Sequence, residues 1–377
     1  MGLHIEQLNC RDFRSYKEFS LSEIGSLTAI VGPNAVGKTN LLEGIQLVTA
    51  CSSFRNPQPS HLVREGAASS CFAAQLVGDG RSLEVELRAL PDSREYYLNG
   101  KKKRPRDLRG LLPSVLFSPE DLELVKGGQA PRRAHADALG AQLSANYQQV
   151  RRDYEKMLRQ KNRLLKEGAQ PLYLQSINEV LASIGSHFHR LRLELLSALE
   201  PYLKSAYAKI SNNSEEVALA YVPSWLRHSV DTARIPEIEP STRDEAHEAL
   251  IAAMESDAFK EHERRACLQG PQLDRIEFYL NGRNAHDFAS QGQQRSLVLA
   301  CKIAEVELIA DKLGQTPVLL LDDVMSELDG ARREALFSLI SGEVQTFITA
   351  TNAEALDHAL VQDARIVEIG KESHGRK

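Results

Sequence analysis

The sequence predicts an α/β protein whose two halves flank a helical insertion. Three observations carry this. The first third alternates short apolar runs with turn signals, the pattern of strands. After about Ala130 the chain keeps helical spacing for most of a long middle stretch. The final stretch returns to strand and helix alternation, with the apolar runs VLLLDD, QTFITAT and RIVEI.

In chain order, Leu3–Leu8, Leu27–Val31, Phe72–Val77, Leu83–Leu90 and Val115–Phe117 read as strands, with a long helix after Gly37. Asn99-Gly100 and Asn281-Gly282 each stand between a β-prone run and a polar one. Both are expected to be hairpin turns, because Asn and Gly tolerate the positive φ of a type I′ turn. In the middle, Tyr154, Met157, Leu158, Leu164 and Leu165 share helical spacing until Gly168 and Pro171 stop the run. A second helix is expected from Leu172 to about Lys209, with a break near Pro201. After a segment containing Pro223, Pro236 and Pro240, Thr242 and Glu245 form a capping-box pattern that opens a third helix toward Arg265.

Composition narrows the class. Of 377 residues, 46 are Lys or Arg and 51 are Asp or Glu, a formal charge of −5. With 42% hydrophobic and 26% charged residues, the chain has enough apolar content for a packed core and is not a disordered type. No apolar run of about 18 residues occurs and the N-terminus is polar, so neither a membrane span nor a secretory signal is expected, and the chain should remain cytoplasmic. Cys10, Cys51, Cys71, Cys267 and Cys301 are odd in number and contain no C-x-x-C pair; they read as reduced, mostly buried thiols.

The strongest local signal is Gly32-Pro33-Asn34-Ala35-Val36-Gly37-Lys38-Thr39, which fits G-x-x-x-x-G-K-[ST] between an apolar strand and a helical run beginning at Asn40. Its glycines let successive backbone N–H groups point at phosphates, and the following helix N-terminus adds partial positive charge. Lys38 would neutralise phosphate oxygens, and the Thr39 hydroxyl would ligate Mg²⁺. Such a site also needs a carboxylate at the end of a buried strand. Leu319-Leu320-Leu321-Asp322-Asp323 supplies two: Asp322 for the metal, and Asp323 to orient or deprotonate the attacking water.

Lys38 and Asp322 are 284 positions apart, so something large is inserted between the halves of one nucleotide site. Before the acidic strand, Ser290-Gln291-Gly292-Gln293 opens another helix and offers a second anion cradle of hydroxyl, flexible backbone and helix dipole. One nucleotide does not need two cradles from the same chain. The economical arrangement is a dimer in which Ser290, Gly292 and Gln293 reach the γ-phosphate held by the partner's P-loop.

These motifs follow the order found in ABC-type ATPases. With GPNAVGKTNLLEGI, SFR from Ser53, VLFSPEDLELVKGG, PRR from Pro131, ASQGQQRS and LLLDDVMSELD, the chain resembles the RecF family, recombination-mediator ATPases related to SMC proteins. The resemblance runs from residue 3 to about residue 352. It implies an ABC-type P-loop ATPase head of two lobes with an inserted α-helical arm: residues 1–125 and 263–377 forming the head, and 126–262 the arm. It further implies an ATP-dependent homodimer with Mg²⁺ that binds single-stranded and gapped duplex DNA and works with RecR and RecO. Loading of RecA at gaps, support of the SOS response and weak ATPase activity acting as a switch belong to the same implication. By residue, Gly32 to Asn40 would hold nucleotide, Ser290, Gly292 and Gln293 would act in trans, and Asp322 and Asp323 would form the metal and water site. Ser326 to Asp329 would be the loop by which subunits sense each other.

Three departures stand out. The His usual after the next strand falls at Thr351; the usual lobe-joining Gln is replaced by Ser118-Pro119-Glu120-Asp121; and Gly-Pro-His-Arg-Asp reads Gly270-Pro271-Gln272-Leu273-Asp274. The first two point to slow hydrolysis, hence a switch more than a motor.

Two windows suit phosphate-backbone contact. Lys101–Arg109 holds six basic residues and one acid, and Arg151–Lys166 seven basic and two acidic. Arg132 and Arg133 are weaker candidates. Aromatic residues are 6% of the chain with no basic–aromatic interleaving, so duplex backbone beside a gap is expected over a stacking platform. His187 and His189, two apart on a helix, point to different faces and are not expected to bind metal. The alternative function is an ABC-type ATPase serving a protein partner without direct DNA binding.

Overall fold

Unbroken apolar runs, not alternation, mark the strands that end at the P-loop and at the acidic pair. In LTAIV, VLLLD and TFITA every residue is buried, as a parallel sheet covered on both faces requires. The computed structural model describes residues 2–226, 242–325, 328–340, 344–352 and 364–370.

The strands are β1 (His4–Phe13), β2 (Tyr16–Leu21), β3 (Leu27–Val31), β4 (Ser70–Gly78), β5 (Arg81–Leu90), β6 (Ser93–Leu98), β7 (Lys101–Lys103), β8 (Ser114–Phe117), β9 (Val217–Val222), β10 (Arg275–Leu280), β11 (Arg283–Asn284), β12 (Val318–Asp322), β13 (Thr346–Ala350) and β14 (Arg365–Glu368). The helices are α1 (Lys38–Thr49), α2 (Pro105–Leu108), α3 (Glu123–Lys126), α4 (Gln129–Leu143), α5 (Ala145–Glu167), α6 (Pro171–Ile210), α7 (Arg243–Ser256), α8 (Ala258–Arg264), α9 (Ala285–Phe288), α10 (Gln291–Leu313) and α11 (Gly330–Ile340). The chain divides into two units, Met1–Asp121 with Glu305–Lys377, and Leu122–Ala304.

In the first unit, a five-stranded parallel sheet runs β14-β3-β13-β12-β8, and a six-stranded antiparallel sheet runs β2-β1-β4-β5-β6-β7. Helix α1 packs on both. Its Leu41, Leu42, Ile45 and Leu47 share one core with Phe72 and Leu87 of the antiparallel sheet and Leu320 and Phe347 of the parallel one. Gly44 is needed there, because a Cβ would stand 2.1 Å from the Phe72 ring. Two glutamines tie the N-terminal strand in place like surrogate backbone. Gln315 donates to Leu3 O and accepts from Leu3 N, and Gln345 does the same with Ile5.

In the second unit, α4 to α8 occupy the stretch expected to form the arm, with an antiparallel sheet β11-β10-β9. Its polar centre is Arg192, 1% exposed, which donates to both carboxylate oxygens of Asp137 (3.1 and 3.0 Å) and to Pro271 O (2.8 Å). Asp274, fully buried, lies 3.5 Å from the same guanidinium and accepts from Ser224 N at 2.8 Å and from the Tyr221 hydroxyl.

Both expected hairpins form, with positive φ at Asn99 and Gly100 between β6 and β7 and at Asn281 and Gly282 between β10 and β11. The Thr242–Glu245 capping box opens α7. Four expectations differ. Helix α6 continues through Pro201; Leu199 and Leu203 are buried on either side of it, so packing overrides the lost backbone bond. The third helix divides at Asp257 into α7 and α8. Beyond the helix expected to end at about Lys209, in a segment read as irregular, VALAYV forms β9, stabilised by its register with β10. Residues 263–304, grouped by the sequence reading with the C-terminal head, lie in the same unit as the arm. The proline-rich positions Pro236 and Pro240 fall outside the described residues.

Cys10, Cys51, Cys267 and Cys301 are buried and Cys71 is half-buried. Burial pushes the Cys10 and Cys51 thiols up to about 12, so neither offers a nucleophile near neutral pH. No helix among the described residues is long and apolar enough to cross a membrane.

Candidate functional site

The P-loop joins β3 to α1, and local backbone chemistry dictates its shape. Ala35 (φ 63°) and Gly37 (φ 100°) wind it through the left-handed region. A Cβ at Gly37 would stand 2.7 Å from Ser15 Oγ, and one at Gly32 2.4 Å from Ile369 O. Only glycine fits at either position. Gly37 brings no side-chain cap to α1, whose first backbone bond runs from Asn40 N to Gly37 O at 2.9 Å, so the N–H groups of Lys38 and Thr39 ahead of it have no intrahelical acceptor. Lys38 Nζ arches back over the loop and donates to Gly32 O (2.6 Å) and Pro33 O (3.0 Å). Ser15 Oγ accepts from Asn40 Nδ2 at 3.1 Å.

The acidic strand end meets this loop. Asp322, 7% exposed, accepts on Oδ1 from Thr39 Oγ1 at 3.0 Å and from Thr349 Oγ1 at 2.8 Å. Burial pushes its carboxyl above the ordinary range; the two hydroxyls and Arg55 oppose that shift, and Glu120 adds to it. A hydroxyl and a carboxylate held together at the mouth of a phosphate loop are hard oxygen donors of the kind Mg²⁺ takes, and a cation there would relieve the buried charge. The residues fit the metal. Asp323 follows in the left-handed region (φ 54°), exposed, its N–H donating to Thr349 Oγ1 at 2.9 Å. For a non-glycine residue this is a strained conformation of the sort found at functional sites.

Two groups of residues escaped the sequence reading. Thr349 links the acidic pair, since one hydroxyl donates to Asp322 and accepts from the Asp323 N–H; Thr351, in the slot of the usual His, is exposed beyond the end of β13. A buried threonine inside the apolar run TFITA was the available signal. The second group surrounds Glu43, fully buried on α1. Arg14 donates to both of its oxygens at 2.8 Å and Ser53 Oγ to one at 2.7 Å. Arg55 in turn donates to Asn40 Oδ1 at 3.0 Å and keeps its guanidinium 42% exposed beside the loop. The SFR phrase thus gains a physical meaning, as a strap across the start of α1.

In the second unit, Ser290 and Gln293 cap α10 reciprocally: Gln293 N donates to Ser290 Oγ (3.2 Å) and Ser290 N to Gln293 Oε1 (2.8 Å). Gly292 lies inside this turn. The structure therefore brings Gly32–Asn40 together with Asp322 and Asp323, and separately brings Ser290, Gly292 and Gln293 together. Ser326 and Glu327 of the expected sensing loop lie outside the described residues.

The basic candidates divide sharply. Lys101–Lys103 are exposed on β7, with Lys102 paired to Glu95. In the second window Lys161 is buried and paired with Glu261 at 2.6 Å, and Arg151 pairs with Glu155 at 2.8 Å. Arg132 is 4% exposed, its guanidinium spent on the carbonyls of Leu124, Val125, Gly127 and Ile276. Lys161 and Arg132 are thus structural cations, a correction to their reading as candidates for phosphate-backbone contact. His189 stacks on Tyr221, and burial lowers its pKa. In the altered Gly-Pro-His-Arg-Asp slot, Gln272 accepts from the Tyr154 hydroxyl and donates to Gln269 O, while Asp274 anchors Arg192.

Residues 4–376 match the model of the RecF/RecN/SMC N terminal domain. DNA replication and repair protein RecF of Lactobacillus johnsonii is 32% identical over 374 residues, 97% of each chain. The chain belongs to the RecF family. The RecF of Listeria monocytogenes is likewise 32% identical, over 375 residues and 98% of each chain. Among solved structures, the recombination mediator protein RecF with ATP, from the RecFOR pathway, superposes with a TM-score of 0.84 at 28% identity over 94% of each chain. The Smc head domain of Pyrococcus furiosus, 16% identical with a TM-score of 0.53, shares the fold.

Proposed function

We propose that this RecF-family chain is an ATP-gated DNA clamp of recombinational repair and replication restart. The observation that carries the proposal is the 3.0 Å contact between Thr39 and Asp322, which closes a phosphate loop and an acidic strand into one site across the intervening chain. Lys38 exchanges its two loop carbonyls for phosphate oxygens, and the first turn of α1 adds backbone donors. Mg²⁺ bound by Thr39 and Asp322 would neutralise phosphate charge. Asp323 orients the attacking water, with Thr349 fixing its backbone. With no His in the slot at Thr351, hydrolysis is slow and resets the clamp.

Ser290, Gly292 and Gln293 complete the site from a second copy, so ATP makes the dimer. DNA, single-stranded or gapped duplex, binds through exposed cations such as Lys101 and Lys103. Support for the nucleotide comes from the ATP-bound RecF relative, and support for work alongside RecO and RecR from that relative's RecFOR pathway. Through them the clamp assists RecA loading at gaps and supports the SOS response.

Lys38→Met is expected to lose ATP binding. Ser290→Arg is expected to bind ATP normally and stay monomeric by analytical ultracentrifugation; a normal ATP-dependent dimer of Ser290→Arg would contradict the trans arrangement.

A further inference from the structure

The amide of Gln293, one of the residues assigned to the partner's γ-phosphate, is already occupied. While its Oε1 accepts from Ser290 N at 2.8 Å, its Nε2 donates to Glu215 Oε1 at 2.5 Å. Glu215 is held from two directions. Its other oxygen accepts from the Tyr207 hydroxyl at 2.6 Å, on the last turns of α6. The next residue, Glu216, is fixed to the hairpin tip: Glu216 N donates to Asn281 Oδ1 (2.8 Å) and Asn281 N to Glu216 O (2.9 Å). A carboxylate of the chain's own arm therefore sits where the signature turn is built to receive an anion.

We propose that Glu215 is a latch on the signature turn: it takes the Gln293 donor in the free protein and must surrender it before a partner's ATP can be bridged. This rests on the trans-signature reading above. Two anions compete for one amide, and like charges at this range repel, so an ionised Glu215 opposes docking of the phosphate until it moves away. The same contact keeps Gln293 in one rotamer facing the turn, which makes Glu215 a positioning residue as well as a barrier. Tyr207 ties the latch to α6, so a displacement of that arm helix is passed to the signature glutamine.

The test is sedimentation of the full chain with ATP and Mg²⁺ over a protein dilution series. Glu215→Gln removes the charge and keeps the shape. It is expected to dimerise at about tenfold lower protein concentration than wild type, the scale of one charge-assisted hydrogen bond, with ATP affinity unchanged. Tyr207→Phe, which frees the latch without altering its charge, should shift dimerisation in the same direction and carries the test alone should Glu215→Gln fail to fold. A merely structural role predicts the opposite sign, weaker dimers. Dimerisation of both variants at or above the wild-type concentration would overturn the latch. Ser290→Arg is run alongside: if it is monomeric, that result rejects the latch but not the trans-signature reading, and if it dimerises normally, the trans-signature reading fails and the latch with it.

Discussion

Asp322 carries a conflict between stability and function. Burial raises its carboxyl pKa, so the folded chain binds its proton more tightly than the unfolded chain does. Stability from this group is then full at low pH and is lost as pH rises through the raised value. Asp322→Asn, whose Oδ1 still accepts from Thr39 and Thr349, is expected to raise the melting temperature of the ATP-free protein at neutral pH. The same variant should lose the further stabilisation that Mg²⁺-ATP gives wild type; calorimetry with and without Mg²⁺-ATP reads both. Gly37 poses a backbone question. At φ 100°, with Ser15 Oγ 2.7 Å from any added Cβ, Gly37→Ala should cost about 1–3 kcal/mol by denaturant titration and abolish nucleotide binding. These residues were legible because the P-loop is a contiguous local motif. The Glu43 clasp was not, because Arg14, Glu43 and Ser53 come from three segments and meet only after the sheets assemble.

Among the elements, α5 shows why a charge run cannot be read as a surface. Its window from Arg151 to Lys166 mixes a cation paired out of water, Lys161, with exposed ones such as Arg163. Removing one partner of a buried ion pair strands the other, so Lys161→Ala is expected to destabilise by about 3–5 kcal/mol in urea. Arg163→Ala should stay within about 0.5 kcal/mol of wild type, as surface substitutions do. Equal effects of the two would contradict the assigned burial. Hairpins and capping boxes were readable because their chemistry is confined to a few adjacent residues. Strand β9 and the unbroken α6 were not, since each depends on a distant partner: β10 for the first, and the packing around Leu199 and Leu203 for the second.

For the whole molecule, the formal charge of −5 is a poor guide to partners. The windows 101–109 and 151–166 carry +5 each, so the rest of the chain carries −15. The structure refines this further, with Lys161 internal and Lys101–Lys103 outward. Lys101→Ala and Lys103→Ala should each weaken DNA binding uniformly across sequences and lower the salt slope by about 1. The measurement that tests the clamp most directly is binding to a gapped duplex with and without ATP across a salt series, in wild type and Lys38→Met. ATP-dependent binding that falls linearly in log[salt] for wild type and is absent in Lys38→Met is the predicted result. Binding of equal strength without ATP, or none under any condition, would contradict it.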